Sequence, residues 1–370
     1  MKYLFLLVPV LLASCAWGLK THTDVDAQKP KNIILMIGDG MGLSQISAGL
    51  YSKTTALHLE EFNVIGLHKS YPADKDLVTD SAAGATAFSC GCKTYNAAVG
   101  VKADTTPCKT ILEFAEENGL ATGLVATCSI EHATPASFVA HVKHRDKYED
   151  IAAYFLKTDV DLLIGGGKKY FERRSSDSRN LSEELRKKGY EVTGSAENEL
   201  KDYRFKERNT VFFTAEDHPL PADQGRDYLP LAGKIAPRFL KKKSDKGFFL
   251  MIEGSQIDWG GHAGKTDYIV SEMNDFDNTI GEVLEFARKD KQTLVIVTAD
   301  HETGGFAILT GSTRGNIKGG FADIKDPKTD SYHHTGTLIP VFAYGPGAAQ
   351  FAGIYENTAI FDKMKALLGF

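Results

Sequence analysis

The chain has 370 residues, 42% of them hydrophobic and 25% charged, which are ordinary values for a globular protein. Its 43 basic and 48 acidic residues leave a formal charge of −5, with no basic block longer than Lys241–Lys243, a balance that argues against nucleic acid as a partner. The length exceeds the usual single core, yet large α/β sheets reach it as one domain.

Met1-Lys2, the apolar run Tyr3 to Leu12 and the small residues before Cys15 have the order of a signal peptide. The run is too short to span a bilayer. Residues 1–18 are therefore expected to direct export. Leu12-Ala13-Ser14-Cys15 also resembles a bacterial lipobox, which would leave Cys15 lipidated and the protein periplasmic or anchored at the outer membrane. Ordinary cleavage near Ala16 or Gly18 is the alternative, and would give a secreted form. Beyond the leader no segment carries the roughly 18 unbroken apolar residues of a spanning helix. Cys90, Cys92, Cys108 and Cys128 remain, an even number that permits two disulfides of open connectivity in an exported chain. Cys90 and Cys92 stand too close to favour pairing with each other, and four buried free thiols fit equally well. Zinc binding by these four is disfavoured by the lack of paired C-x-x-C spacing.

A polar linker, 19–31, leads into Asn32-Ile-Ile-Leu-Met-Ile37, which reads as a fully buried strand ending at Gly38-Asp39-Gly40. The third glycine of a dinucleotide loop would fall at 43, where Leu43 stands, so that motif is not met. Helical periodicity from Thr110 to Asn118 stops at Gly119 and is followed by a strand over Thr122–Thr127. The alternation continues through strands at 161–164, 211–213 and 248–252, a long helix over 268–288, and a strand at 293–298. Another strand over 338–344 and a helix near 361–368 complete it. Lys241–Lys243 is expected to close a helix, where cations suit the dipole. Residues 172–209 and 311–332 read as surface excursions. This rhythm predicts an α/β three-layer sandwich over 32–370, a large, mostly parallel central sheet with helices on both faces.

Open α/β sheets bind ligands beyond the carboxyl ends of their strands. Three apolar runs end there in acidic residues, at Asp39, at Glu253 and at Asp300-His301. Asp258 and His262 are four apart, on one face of a helical turn. With the His333-His334 pair these residues offer oxygen and nitrogen donors suited to Zn²⁺ or Mg²⁺. Thr79-Asp80-Ser81-Ala-Ala-Gly84 places a serine among small residues at a helix start, where backbone N–H groups can meet a phosphate. By itself Asp80 reads as an N-cap.

Together these motifs resemble the alkaline phosphatases, from about Asn32 to the C-terminus. The resemblance implies that Ser81 is the nucleophile and that Arg145 grips the phosphate. It implies two zinc ions and one magnesium ion. Asp258, His262 and His334 would hold one zinc. Asp39, Asp300, His301 and Ser81 would hold the other, and Asp39, Thr134 and Glu253 the magnesium. His334 is preferred to His333 because His-Thr-Gly before an apolar strand matches the family pattern. Arg145, flanked by other charges, would otherwise be an unremarkable surface residue. His132 and Trp259 stand beside the magnesium ligands where the family varies, and either orient water there or form a packed aromatic pair. The implied activity is hydrolysis of phosphate monoesters through a phosphoserine, usually in a homodimer. A related phosphodiesterase or phosphonate hydrolase would commonly carry Thr as nucleophile, and a sulfatase would need a different context around Ser81. A catalytically dead metal-binding surface lipoprotein would lack the intact Ser81 and ligand set. Gly304 to His333 is too short for a large accessory domain.

Overall fold

Alternate residues of the first strand face two different apolar clusters. Ile33, Leu35 and Ile37 pack on one side of the sheet, and Ile34 and Met36 on the other. A strand buried on both faces has no polar positions, which is why Asn32–Ile37 reads as continuous apolar sequence. The computed structural model describes residues 29–194 and 200–370. The leader, Cys15 and the linker up to residue 28 lie outside them.

The strands in chain order are β1 (Asn32–Gly38), β2 (Val64–Lys69), β3 (Ala121–Ser129), β4 (Leu162–Gly166), β5 (Glu191–Thr193), β6 (Thr210–Phe213), β7 (Phe248–Gly254), β8 (Thr293–Thr298), β9 (Glu302–Thr303), β10 (Ala307–Ile308), β11 (Gly319–Gly320), β12 (His334–Thr335), β13 (Ile339–Tyr344) and β14 (Gly353–Glu356). Ten form one sheet in the order β14-β2-β13-β8-β1-β7-β3-β4-β6-β5. Its pairings are parallel except those of β13, which runs antiparallel to both β8 and β2. The first helical layer includes Ser81–Cys90, Ile111–Glu117 and Thr358–Leu368 and covers one face. Leu43–Ser52, Tyr228–Lys243 and Thr266–Asp290 cover the other. This is the expected three-layer α/β sandwich. Among the described residues no helix is long and apolar enough to cross a membrane.

One expectation changes, and of two open readings of the cysteines one is seen. The stretch 172–209 is not wholly a surface excursion: it holds a helix, Leu181–Lys187, whose Leu181 and Leu185 are buried, and the edge strand β5. The four thiols do not form two pairs. Cys90, Cys92 and Cys108 converge, with Cys92 Sγ 2.8 Å from Cys108 Sγ, while Cys128 lies apart against Glu253. All four are free.

His68 on β2 is fully buried, 2.9 Å through Nε2 from the Ala299 carbonyl and edge-on to Phe88. Burial pushes its pKa down to about 4, against two weaker backbone hydrogen bonds. The unfolded chain takes up this proton near pH 6.5, whereas the folded chain resists until about pH 4, so stability falls as pH falls through that window. The loss is about 3 kcal/mol at the acid end. Denaturant unfolding of the wild type and of His68→Gln at several pH values should show that extra slope in the wild type only. Parallel profiles would refute it.

Candidate active site

β1, β7 and β8 are adjacent and parallel, with Ile37 level with both Glu253 and Thr298. Their carboxyl ends therefore deliver Asp39, Glu253 and Asp300 to one place, and all three are fully buried. Gly40 follows in the left-handed region at φ +73°, and a Cβ there would come within 2.6 Å of the Asp258 Cα. The helix Ser81–Cys90 starts over this point with the Asp80 carboxylate accepting from the Ala83 N–H at 3.0 Å. Gly84 lets it approach closely, since a Cβ there would meet the Asp300 Cβ at 2.9 Å.

Asp258 and His262 lie on one face of the helix Gln256–His262, with His262 Nε2 3.3 Å from Asp258. His334 comes from β12, which pairs antiparallel with β9, and its Nε2 is 3.4 Å from Asp258 and 3.0 Å from His262 Nε2. His333 is exposed, so His334 is the residue that enters the site. The Nδ1 atoms of His262 and His334 donate to the carbonyls of Tyr332 and Thr79. Both Nε2 atoms are then acceptors pointing at one another and at a carboxylate, an arrangement that a proton or a metal cation must bridge.

Beside this group, His301 Nε2 lies 3.5 Å from Asp39, 3.3 Å from Asp300 and 3.3 Å from Ser81 Oγ. His301 and His334 stack with centroids 3.5 Å apart, which joins the two groups. Arg145 precedes the helix Tyr148–Tyr154 and is held 2.9 Å from Asp80, with its other nitrogen 3.2 Å from His132 Nε2. Asp80 is thus both the cap and the anchor of Arg145, and Arg145 is not a free surface charge. His132, Trp259 and His218 form an edge-on cluster with centroids 4.9–6.0 Å apart. His132 and Trp259 do pack as an aromatic pair, yet His132 Nδ1 is buried with no partner.

Burial pushes the Asp39 carboxyl well above the usual range, and the charges of Asp300, Asp258 and Glu253 push the same way. Glu253 rises to about 7 through burial and, secondarily, Asp300. Asp300 rises to about 6 through burial and Asp258. Burial would raise Asp258 as well, but His262 and His334 outweigh it and hold Asp258 well below. Four carboxylates crowded into a dry site raise one another unless positive charge is supplied. Both Asp39 oxygens, Asp300 Oδ2, Glu253 Oε1 and Thr134 Oγ1 are buried without a hydrogen-bond partner. Buried carboxylate oxygens are seldom left so unless a cation takes them, and the residues present fit such ions.

The structure thus gathers Asp258, His262 and His334 as one possible ligand group and Asp39, Asp300 and His301 as another. A third group consists of Cys128, His132 and Glu253, and the oxygens of the expected set, both of Asp39 with Thr134 Oγ1 and Glu253 Oε1, are buried without a hydrogen-bond partner. Cys128 was absent from the sequence-based ligand set, although its spacing of four from His132 was visible. Thr303 was missed too. Its hydroxyl donates to Asp258 and lies 3.2 Å from His301 Nδ1.

Such a fold, with clustered carboxylates and imidazoles at the strand ends beside a helix-borne serine, defines a metal-binding enzyme of the open α/β class. The alkaline phosphatase family profile matches residues 30–328. Alkaline phosphatase 3 of Bacillus subtilis (strain 168) is 43% identical over 293 residues, 75% of this chain and 62% of that relative. The alkaline phosphatase of Escherichia coli (strain K12) is 33% identical across 93% of this chain and 87% of its own. The structure of alkaline phosphatase from the Antarctic bacterium TAB5 superposes with a TM-score of 0.85 at 44% identity, covering 92% of this chain and 99% of that one. The chain belongs to the alkaline phosphatase family.

Proposed function

We propose that the protein hydrolyses phosphate monoesters to an alcohol and inorganic phosphate through a phosphoserine on Ser81. The observation that carries this is Ser81 Oγ itself, which opens a helix and lies 3.3 Å from His301, a member of one of the groups of residues able to hold a cation. Asp258, His262 and His334 would hold one zinc ion, Asp39, Asp300 and His301 a second, and Glu253 with its neighbours a third ion. When bound, such ions act as Lewis acids that favour the ionised serine or water and take up charge on the attacking and leaving oxygens.

The rest follows from the chain's own groups. Arg145, fixed by Asp80, presents a planar fork that can grip two phosphate oxygens, which a lysine could not reproduce. The N–H groups at the start of the Ser81–Cys90 helix face the same anion. Ser81 Oγ attacks phosphorus, the alcohol departs, and a water then attacks the phosphoserine to free Ser81 and phosphate. Burial of the carboxylates keeps competing water away from these charges. Export, lipid attachment at Cys15 and homodimerisation remain part of the proposal, supported by the leader pattern and the habit of the family. A structure of a TAB5 alkaline phosphatase mutant, with one histidine replaced by aspartate, is described with Mg bound in its M3 site, which supports a third ion in the family.

The test is hydrolysis of a chromogenic phosphate monoester from neutral to strongly alkaline pH, by protein loaded with zinc and magnesium and by a chelated sample. Turnover that rises with pH and vanishes on chelation is expected. Cleavage of a diester with no monoester turnover would replace this reading with a phosphodiesterase.

A further inference from the structure

The segment that joins the helix Ser81–Cys90 to the helix Ile111–Glu117 reaches back to the residues placed around the phosphate. Asn96 Oδ1 accepts from the Asp80 N–H at 2.8 Å, and its amide nitrogen donates to the Val78 carbonyl at 3.0 Å. The neighbouring Ala97 carbonyl accepts from the Arg145 N–H at 2.8 Å. One short loop therefore positions both Asp80 and Arg145. Ala97 sits in the left-handed region at φ +70°, a conformation that is costly for a residue with a Cβ and lasts only where its surroundings hold it.

At the two ends of this loop Cys92 Sγ and Cys108 Sγ lie 2.8 Å apart, although the residues are 16 positions apart in the chain. Thiols so placed already face each other for the bond of about 2.05 Å that a disulfide makes. Cys92 is partly exposed and Cys108 buried, so a small oxidant meets Cys92 first. Hydrogen bonds from Cys90 and Cys92 hold the Cys108 thiol well below its usual range, and the charges of Lys102 and His141 favour its thiolate more weakly. Cys90 Sγ lies 3.0 Å from the Cys108 carbonyl, and burial pushes its own pKa up, so Cys90 stays protonated.

We propose that Cys92 and Cys108 form a disulfide that clamps the loop 93–107 and so fixes Asp80 and Arg145 for the phosphate. The cross-link stands by itself; its effect on phosphate rests on the functional reading above. The oxidant is a small disulfide such as oxidised glutathione. Cys92, deprotonated, attacks one of its sulfurs, which forms a mixed disulfide and releases one thiolate. The Cys108 thiolate then attacks Cys92 Sγ, the mixed disulfide breaks, and the second thiolate leaves. Two protein thiols are oxidised, one small disulfide is reduced to two thiols, and the two protons pass to the departing sulfurs. Closing the loop removes conformations that the segment would otherwise reach when it loosens.

The experiment compares the full chain equilibrated with oxidised and with reduced glutathione. Peptide mass spectrometry with fragmentation should place one cross-link between Cys92 and Cys108 in the oxidised sample, and Cys90→Ala should keep it. Amide hydrogen exchange in the peptides that contain Asp80 and Arg145 should be several-fold slower in the oxidised form, and Cys92→Ser/Cys108→Ser should show no difference between the two conditions. After removal of glutathione, inorganic phosphate should inhibit the zinc- and magnesium-loaded oxidised enzyme at a several-fold lower concentration than the reduced one. Absence of the link, a link through Cys90, or equal exchange in the two forms overturns the proposal. Slower exchange with unchanged phosphate inhibition overturns its claim on Arg145. A cross-linked, slower-exchanging protein without hydrolysis under any metal loading sinks the functional reading and leaves the clamp standing.

Discussion

Replacing Ser81 with Ala is expected to lower kcat for monoester hydrolysis on the order of 10³-fold or more, the scale on which loss of a covalent nucleophile acts. The fold should survive, because Ser81 lies at the first position of its helix and the cap is supplied by Asp80, not by Ser81. Metal content should also hold, since the carboxylates and imidazoles of both groups remain. Quenched-flow trapping of labelled phosphate makes the result specific: the wild type should yield a covalent phosphoenzyme and Ser81→Ala none. A variant that keeps more than about a tenth of the wild-type kcat would remove Ser81 from the nucleophile role.

The second large effect is on stability. Arg226 is fully buried and makes bonds of 2.7 Å to Glu272 and 2.6 Å to Asp275 on the helix Thr266–Asp290, with a further 3.3 Å contact to the Leu220 carbonyl. Burial works against the charge on the arginine, but the two carboxylates outweigh it and keep it protonated. Arg226→Met leaves two buried carboxylates without a counter-charge and should cost about 3–5 kcal/mol. Replacing all three with apolar residues of similar volume should recover most of that loss, because the desolvation of the charges disappears with them. Urea unfolding midpoints of both variants check the pair of results. A cost below about 1 kcal/mol for Arg226→Met would mean that the triad is hydrated in solution. The same loop carries His218 and accepts bonds from Gln256 through the Pro219 and Leu220 carbonyls, so loosening it should also disturb the Trp259 cluster.

What the sequence revealed follows burial. β1, β7 and β8 are covered on both faces and cannot tolerate polar residues, so their apolar runs and the acidic residues ending them stood out. β2 did not, because Val64–Lys69 is short, contains a glycine and exposes part of one face. The helix Tyr228–Lys243 announced only its end, through three lysines, since Pro237 within it and its polar outer face blur the period. At the site, residues with strong chemistry at fixed spacing were legible, whereas partners set by the crossing of elements were not. Thr303 reaches Asp258 only because β9 pairs with β12, and Cys128 meets Glu253 only because β3 lies beside β7. Read along the chain the Cys128 thiol fitted a disulfide or a free thiol equally; read across the sheet it faces a carboxylate.

The one antiparallel strand of the ten-stranded sheet, β13, sets a timetable. In the sheet β2 has only β13 and β14 as neighbours, and these follow it by more than two hundred residues of chain. A segment made early must therefore wait, unpaired, for these much later segments to emerge, and His334, just ahead of β13, arrives with them. Sheet closure and completion of the Asp258, His262 and His334 group are thus one event, more than two hundred residues after β2 is made. A ribosome-bound or truncated chain lacking residues 334–356 has an open strand edge and leaves Asp258 and His262 without His334. An unpaired edge of that kind is a template for pairing with other chains.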